Sequence, residues 1–102
     1  MDVVRSVNGV PIRLTDERWE HIVDGHADLR NDRDRILQVV GSPDIVVRAR
    51  AGALSALSRE ASGQSFVVVY REMSEEDGFV ITAYRTSRNP AIRKEVVWTP
   101  PA

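Results

Sequence analysis

Residues 79 to 88 read FVITAYRTSR, and this run decides the fold. It combines aromatic and β-branched residues directly after the turn signal Asp77-Gly78, so it predicts a central β-strand. Side chains alternate across a strand. One face is expected to be apolar and to join the core: Phe79, Ile81 and Ala83. The opposite face carries four polar side chains in line: Thr82, Tyr84, Thr86 and Arg88.

The polar face of this strand has two interpretations. Two hydroxyls, a phenol and a guanidinium in line are suited to hold a phosphate, or to stabilise charge that develops on one. Antiparallel sheets also commonly leave one polar face in contact with water. The residues of this strand alone do not choose between a binding face and a solvated one.

Further strands are predicted on either side of this run in the sequence. Ser65 to Met73 is the other strongly apolar run, and the link to Phe79 is too short for a parallel crossover. The two are therefore expected to be antiparallel neighbours. Three more segments have strand character: Ile45 to Arg50, Ala53 to Arg59 and Glu95 to Thr99. Short turns separate most of these segments, which indicates a meander of four or five strands.

The N-terminal part of the chain predicts a β-hairpin. Val3 to Val7 and Val10 to Leu14 flank Asn8-Gly9, the residue pair that suits a two-residue type I′ turn. Pro11 lacks a backbone N–H, which places the second arm of the hairpin at a sheet edge.

Two amphipathic helices are predicted after the hairpin. Thr15 can cap the first helix. Four residues spaced i, i+3, i+4 and i+7 mark its buried face: Trp19, Ile22, Val23 and His26. Asn31 is the expected cap of the second helix, whose apolar residues begin at Ile36 and which Gly41 and Pro43 end. The prediction is one α+β domain over residues 1–102, with an N-terminal hairpin and two helices packed on one face of a four- to five-stranded antiparallel sheet.

Composition excludes several classes of protein. The chain has 102 residues, enough for one modest core, and 14 basic against 15 acidic residues give a net charge of −1. It has no cysteine, so disulfides and thiolate metal sites are excluded. No apolar run approaches the roughly 20 residues of a membrane helix, and the N-terminus lacks the layout of a signal peptide. A cytoplasmic protein without membrane contact is expected, although a domain cut from a larger chain would look the same.

The two histidines are the second chemical signal. His21 and His26 are roughly 140° apart around a helix, so they do not form the i, i+4 pair of a zinc site, and no metal cluster is predicted. His26 shares the face of Trp19 and is expected to meet the sheet or its rim. It is either a hydrogen-bonded core residue or a general acid or base, because imidazole titrates near neutral pH.

Basic residues are spread over the strand half of the chain. Most are expected to be surface residues, and a subset is predicted to line a substrate groove: Arg48, Arg71, Arg88 and Lys94.

The order of motifs along the chain resembles a known group of domains. The motifs are Leu14-Thr15, Trp19-Glu20-His21-Ile22-Val23 with His26, Ile36, Pro43-Asp44-Ile45, Phe66-Val67-Val68-Val69, Val80-Ile81-Thr82-Ala83-Tyr84-Arg85-Thr86 and Val96-Val97-Trp98. Together they resemble the phage-associated nuclease-like domains grouped with barnase, EndoU, colicin-type tRNases and RelE, the BECR fold. The likeness covers residues 12 to 98. It implies two N-terminal helices before a four-stranded antiparallel sheet.

The active members of that group are metal-independent ribonucleases or transferases, and many are toxins. The resemblance assigns catalysis to His21 or His26 from the first helix, and to a set from the core strand: Thr82, Tyr84, Arg85 and Thr86. It therefore implies an endoribonuclease that needs no cofactor. A histidine would take the ribose 2′-hydroxyl proton, and that oxygen would attack the adjacent phosphate. RNA is the expected substrate, and a cognate antitoxin or immunity protein is a possible partner.

One property departs from this expectation. A net charge of −1 is low for an RNA-cutting toxin, because such enzymes usually gain affinity by neutralising phosphates. A non-catalytic binding module of the immunity, antitoxin-like or phage polyvalent-protein type is the alternative. A transferase that handles nucleotides or ADP-ribose is a third interpretation.

Overall fold

The chain folds into two short helices and one seven-stranded sheet. The computed structural model describes all residues from Met1 to Ala102. The strands and helices are, in order, β1 (Asp2–Arg5), β2 (Pro11–Leu14), α1 (Asp16–Gly25), α2 (Arg33–Gly41), β3 (Ile45–Arg48), β4 (Leu54–Arg59), β5 (Ser65–Glu72), β6 (Gly78–Thr86) and β7 (Val96–Trp98). Single 3₁₀ turns lie at Ala27–Leu29 and Arg50–Gly52. The predicted α+β class is confirmed.

The sheet has the strand order β1-β2-β6-β5-β4-β3-β7. Strands β3 to β6 form the predicted antiparallel meander, and β5 pairs with β6 from Ser65↔Thr86 to Glu72↔Gly78. The predicted count of four to five strands was too low. The N-terminal hairpin joins the sheet because β2 runs parallel to β6 at Ile12 and Arg13, and β7 returns beside β3 at the other edge.

The N-terminal hairpin has a longer turn than predicted. The Gly9 N–H donates to the Ser6 carbonyl at 2.8 Å, and the Ser6 N–H donates to the Val10 carbonyl at 2.9 Å. Gly9 has φ +80°. Asn8 and Gly9 are thus the last two residues of a three-residue loop, a turn followed by a left-handed glycine. The prediction that Pro11 places this arm at a sheet edge was wrong, because β2 is an interior strand. Pro11 is the first residue of β2, a position that tolerates a missing N–H.

Both helices pack on one face of the sheet, as predicted. The Thr15 hydroxyl caps α1 by accepting from the Arg18 N–H at 3.1 Å, and Ile22 is fully buried. Trp19 is half-buried and not largely buried as its spacing suggested, since its ring packs against the core while the Arg33 guanidinium lies 5.8 Å from the ring centre. Asn31 does not cap α2; the cap position is Asp32.

A β-bulge in β6 changes which of its residues face the core. Val69 pairs with Thr82 and Tyr70 pairs with Val80, so Ile81 is an extra residue without a partner. Val80 and Ala83 are consequently both buried on the helix side. The prediction that Phe79 and Ile81 belong to the core was wrong, because strict alternation does not hold across the bulge; both are half-exposed.

The other face of the sheet, which carries no helix, is called the open face here. By register it carries Thr82, Tyr84 and Thr86, as predicted, whereas Arg85 follows Ala83 onto the helix side. Arg88 lies beyond the end of β6 and is exposed. The connection between β6 and β7 partly covers this face, because Ala91 packs on a small cluster there: Val47, Leu57 and Val67. No helix in the structure combines the length and apolar character needed to cross a membrane.

Candidate active site

An imidazole and a phenol meet at the rim of the sheet. The ring centres of His26 and Tyr84 are 6.1 Å apart, and the ring planes are inclined by 30°. His26 follows the last residue of α1, and its N–H donates to the Ile22 carbonyl at 2.8 Å. Because β2 pairs with β6 only at Gly78 and Phe79, the remaining edge of β6 has no strand beside it. The end of α1 reaches Tyr84 across this unoccupied edge.

Tyr84 also lines a groove of about 340 Å³ on the open face. The polar side chains of this groove are Arg50, Ser55, Arg71, Tyr84 and Lys94, and no carboxylate lines it. None of its three cations makes an ion pair in the structure, in contrast to five other arginines of the chain. The groove therefore attracts anions, and Tyr84 is the residue that it shares with His26.

The turn between β3 and β4 shapes one end of the groove. Ala51 and Gly52 both have left-handed backbones, with φ +54° and +80°. The Arg71 Nη1 atom lies 3.4 Å from the position that a Cβ at Gly52 would occupy. Arg50 in this turn was not singled out from the sequence. The only signal for it was the Ala51-Gly52 pair between two predicted strands.

Arg85 does not point into the groove. Its Nε donates to Glu60 Oε1 at 2.6 Å, and its Nη1 donates to Asp32 Oδ2 at 2.9 Å. These hydrogen bonds, first to Asp32 and then to Glu60, raise the pKa of the guanidinium. Because both edges of the guanidinium are occupied by carboxylates on the helix side, the geometry does not support the predicted role of Arg85 as a phosphate ligand.

The two histidines do not converge. His21 is exposed on the outer side of α1, where it lines a wide cavity of about 530 Å³ with other polar residues of the helix and its cap: Thr15, Glu17, Arg18, Glu20 and Asp24. No residue of β6 lines that cavity. Only His26 lies beside the predicted strand residues.

Two of the four predicted substrate-binding residues line the groove, and the other two lie elsewhere. Arg71 and Lys94 line the groove. Arg48 is exposed and pairs with Glu95 at 3.0 Å. Arg88 lies at the far end of β6, in a separate cavity of about 150 Å³.

Thr82 and Thr86 share the open face with Tyr84. They pair with Val69 and Ser65 of β5, respectively, which places them on either side of Tyr84 along β6. The Thr86 hydroxyl oxygen accepts from the Arg88 N–H at 3.1 Å. Neither threonine lines the groove.

The histidines and carboxylates of the structure form no group of three that could hold a metal ion. No protein-family model, curated protein or solved structure matches this chain. Its function must therefore be inferred from the site itself.

Proposed function

We propose that the protein is a metal-independent endoribonuclease whose active site is the His26–Tyr84 pair with the cationic groove. The observation that carries this proposal is the position of Tyr84, whose ring lies 6.1 Å from the imidazole of His26 and whose side chain also lines the groove. Tyr84 thus brings together a proton acceptor, the imidazole of His26, a proton donor, its own phenol, and the anion-binding side chains of the groove. The resemblance to the BECR domains implies the same activity, so one cleavage experiment tests both.

The proposed reaction begins at the ribose 2′-hydroxyl. His26 accepts the hydroxyl proton, and the 2′-oxygen forms a bond to the adjacent phosphorus. The bond from phosphorus to the 5′-oxygen of the next nucleotide breaks, and the Tyr84 phenol gives its proton to that oxygen. In-line attack places the two oxygens on opposite sides of phosphorus, which suits an acid and a base on two separate rings. The products are a 2′,3′-cyclic phosphate and a 5′-hydroxyl.

The groove cations stabilise the charge of this reaction. Arg50, Arg71 and Lys94 are free of carboxylate partners, so their positive charge is available to the phosphate as it becomes more negative in the transition state. The net charge of −1 is a property of the whole chain. It does not describe the groove, because no acidic residue lines it.

The test is cleavage of an RNA oligonucleotide in the presence of EDTA. Wild-type protein is expected to give fragments ending in a 2′,3′-cyclic phosphate. The same oligonucleotide with 2′-deoxyribose at every position should stay intact, because it lacks the attacking oxygen. Absence of cleavage, or equal cleavage of the deoxy substrate, would contradict the proposed reaction.

A second candidate is a module that binds RNA in the groove without cutting it. The observation that favours it is the engagement of Arg85 by Asp32 and Glu60, which removes the one arginine of β6 from the phosphate site. This module would bind the deoxy and ribose oligonucleotides equally well and cut neither. An immunity or antitoxin-like protein would also cut neither oligonucleotide, and it would not need to bind either.

A further inference from the structure

We propose that Arg85 is a positioning residue that holds the turn carrying His26 against the strand carrying Tyr84. Arg85 is the direct neighbour of Tyr84 in β6. Its Nη1 atom lies 2.9 Å from Asp32 Oδ2 and 4.0 Å from Asp28 Oδ2, and both carboxylates belong to the connection that follows His26. One guanidinium therefore joins the two segments that bring the imidazole and the phenol together. Its consequence for catalysis rests on the proposed ribonuclease function.

The segment between His26 and Asp32 is a compact unit. The Leu29 N–H donates to the His26 carbonyl at 3.0 Å, and the Asp32 N–H donates to the Leu29 carbonyl at 2.8 Å. Leu29 is fully buried in the core. Since each carbonyl is tied to the next turn, a contact that fixes Asp32 also restricts His26.

Asp32 gives up a local hydrogen bond to make this contact. It occupies the N-cap position of α2, where an aspartate usually accepts from a backbone N–H of the first turn. The Asp32 side chain makes no such hydrogen bond and accepts from Arg85 instead. Residues that break a local rule in this way are expected at functional or strained positions.

The guanidinium of Arg85 is itself held from the other side. Glu60, in the connection between β4 and β5, accepts from Nε at 2.6 Å and from Nη2 at 3.3 Å. The guanidinium also lies 5.0 Å from the centre of the Phe66 ring, which is fully buried. The side chain of Arg85 is only 22% exposed. Glu60 and Phe66 therefore fix the orientation of the planar guanidinium independently of its contact with Asp32.

Arg33 offers a matched control. It also bridges two carboxylates, with Nε 2.7 Å from Asp2 and Nη2 2.6 Å from Asp16, and its side chain is 27% exposed. These contacts tie α2 to β1 and to the start of α1, at the opposite end of that helix from His26. Removing them takes away a comparable pair of ion contacts and leaves the contacts of Asp28 and Asp32 with Arg85 in place.

The experiment compares Arg85→Gln and Asp32→Leu with Arg33→Gln. Proton NMR of the folded proteins measures the nuclear Overhauser contact between the His26 and Tyr84 rings, and RNA cleavage gives kcat and KM. We expect the ring contact in the wild type and in Arg33→Gln, and its loss in the other two variants. We expect kcat to fall on the order of 10²-fold with KM unchanged in those two, because displaced reacting groups cost rate more than binding.

Asp32→Leu keeps the approximate size of the side chain but has no oxygen to accept from Arg85, and so tests the proposal even if Arg85→Gln does not fold. A folded Asp32→Leu protein that retains the wild-type ring contact would overturn it, as would equal loss of the contact in Arg33→Gln. The ring contact is measured without RNA. If the wild type cuts no RNA, the proposed function is wrong, and the NMR comparison still decides the role of Arg85.

Discussion

The ring of His26 lies 6.1 Å from the ring of Tyr84, across an edge of β6 that no other strand occupies. The short parallel pairing of β2 with β6 produces this arrangement. It ends at Arg13 and Phe79, and the chain then enters α1 within a few residues. The helix ends at Gly25, and His26 follows it beside the free edge. A site at the rim of the sheet is therefore a consequence of the topology.

His26→Gln is expected to lower RNA cleavage by about 10²–10⁴-fold, the usual effect of a general base. His26 is half-buried, so a modest loss of stability is also expected. His21→Gln is the control, because His21 is exposed on the outer side of α1. The measurements are turnover on an RNA oligonucleotide and the thermal midpoint of each variant.

The pH dependence of wild-type cleavage provides a second check on His26. The rate should depend on pH, because a general base must be unprotonated to accept the 2′-hydroxyl proton. If His26→Gln keeps both the parental rate and the parental pH profile, histidine catalysis is wrong for this protein. Equal losses of rate in the His21 and His26 variants would contradict the assignment to the rim.

Much of the strand half could be predicted from local pattern. Tyr84 and its two threonine neighbours were correctly assigned to one face, because the alternation from Thr82 onward is regular. The bulge at Ile81 could not be predicted, since Phe79, Val80 and Ile81 are all apolar and fit either register. It moved Val80 into the core in place of Phe79 and Ile81.

Long-range contacts account for the other differences. The parallel pairing of Ile12 with Gly78 joins the N-terminal hairpin to a strand that lies far along the chain. Neither strand carries a sequence signal for this pairing. Arg85 is a second example. Its carboxylate partners Asp32 and Glu60 come from separate connections. Local periodicity does not predict such contacts.

Arg71→Gln is expected to weaken binding of single-stranded RNA and to reduce its salt dependence. Each phosphate that a cation neutralises contributes about 0.7 to the slope of log K against log salt, so the slope should fall by about that amount. Arg48→Gln is the matched control, because Arg48 is exposed and already pairs with Glu95 at 3.0 Å. Fluorescence anisotropy at several salt concentrations measures both slopes. Identical slopes for the two variants would place the RNA elsewhere.

Gly78→Ala is expected to destabilise the fold by about 1–3 kcal/mol, the usual cost of overpacking. A Cβ at Gly78 would lie 2.5 Å from both the Arg71 carbonyl oxygen and Ile12 Cδ1. Gly25→Ala is the control, since a Cβ there meets nothing within 4 Å, and it should stabilise α1 by about 0.5–1 kcal/mol. Urea unfolding measures both. A neutral Gly78→Ala would mean that β2 can move away from β6 at little cost.

Tyr70→Phe is expected to raise the free energy of unfolding by about 1 kcal/mol. Tyr70 is fully buried, and its hydroxyl has no hydrogen-bond partner. An unpaired buried polar group costs about 1–3 kcal/mol, and phenylalanine fills the same space without it. Tyr84→Phe is the control, because Tyr84 is half-exposed on the open face and its change should stay within about 0.5 kcal/mol. A less stable Tyr70→Phe would show that the hydroxyl finds a partner, such as an ordered water.

Tyr70 should also make the stability of the protein sensitive to alkali. Burial, and to a lesser extent the charge of Glu72, raises the pKa of the Tyr70 phenol above its ordinary value. The unfolded chain releases this proton near pH 10, whereas the folded protein keeps it. Stability is therefore fully present below about pH 10 and is lost as pH rises toward the raised value in the folded state. Urea midpoints from pH 8 to 11.5 should fall more steeply for the wild type than for Tyr70→Phe, and parallel curves would show that Tyr70 does not control the loss.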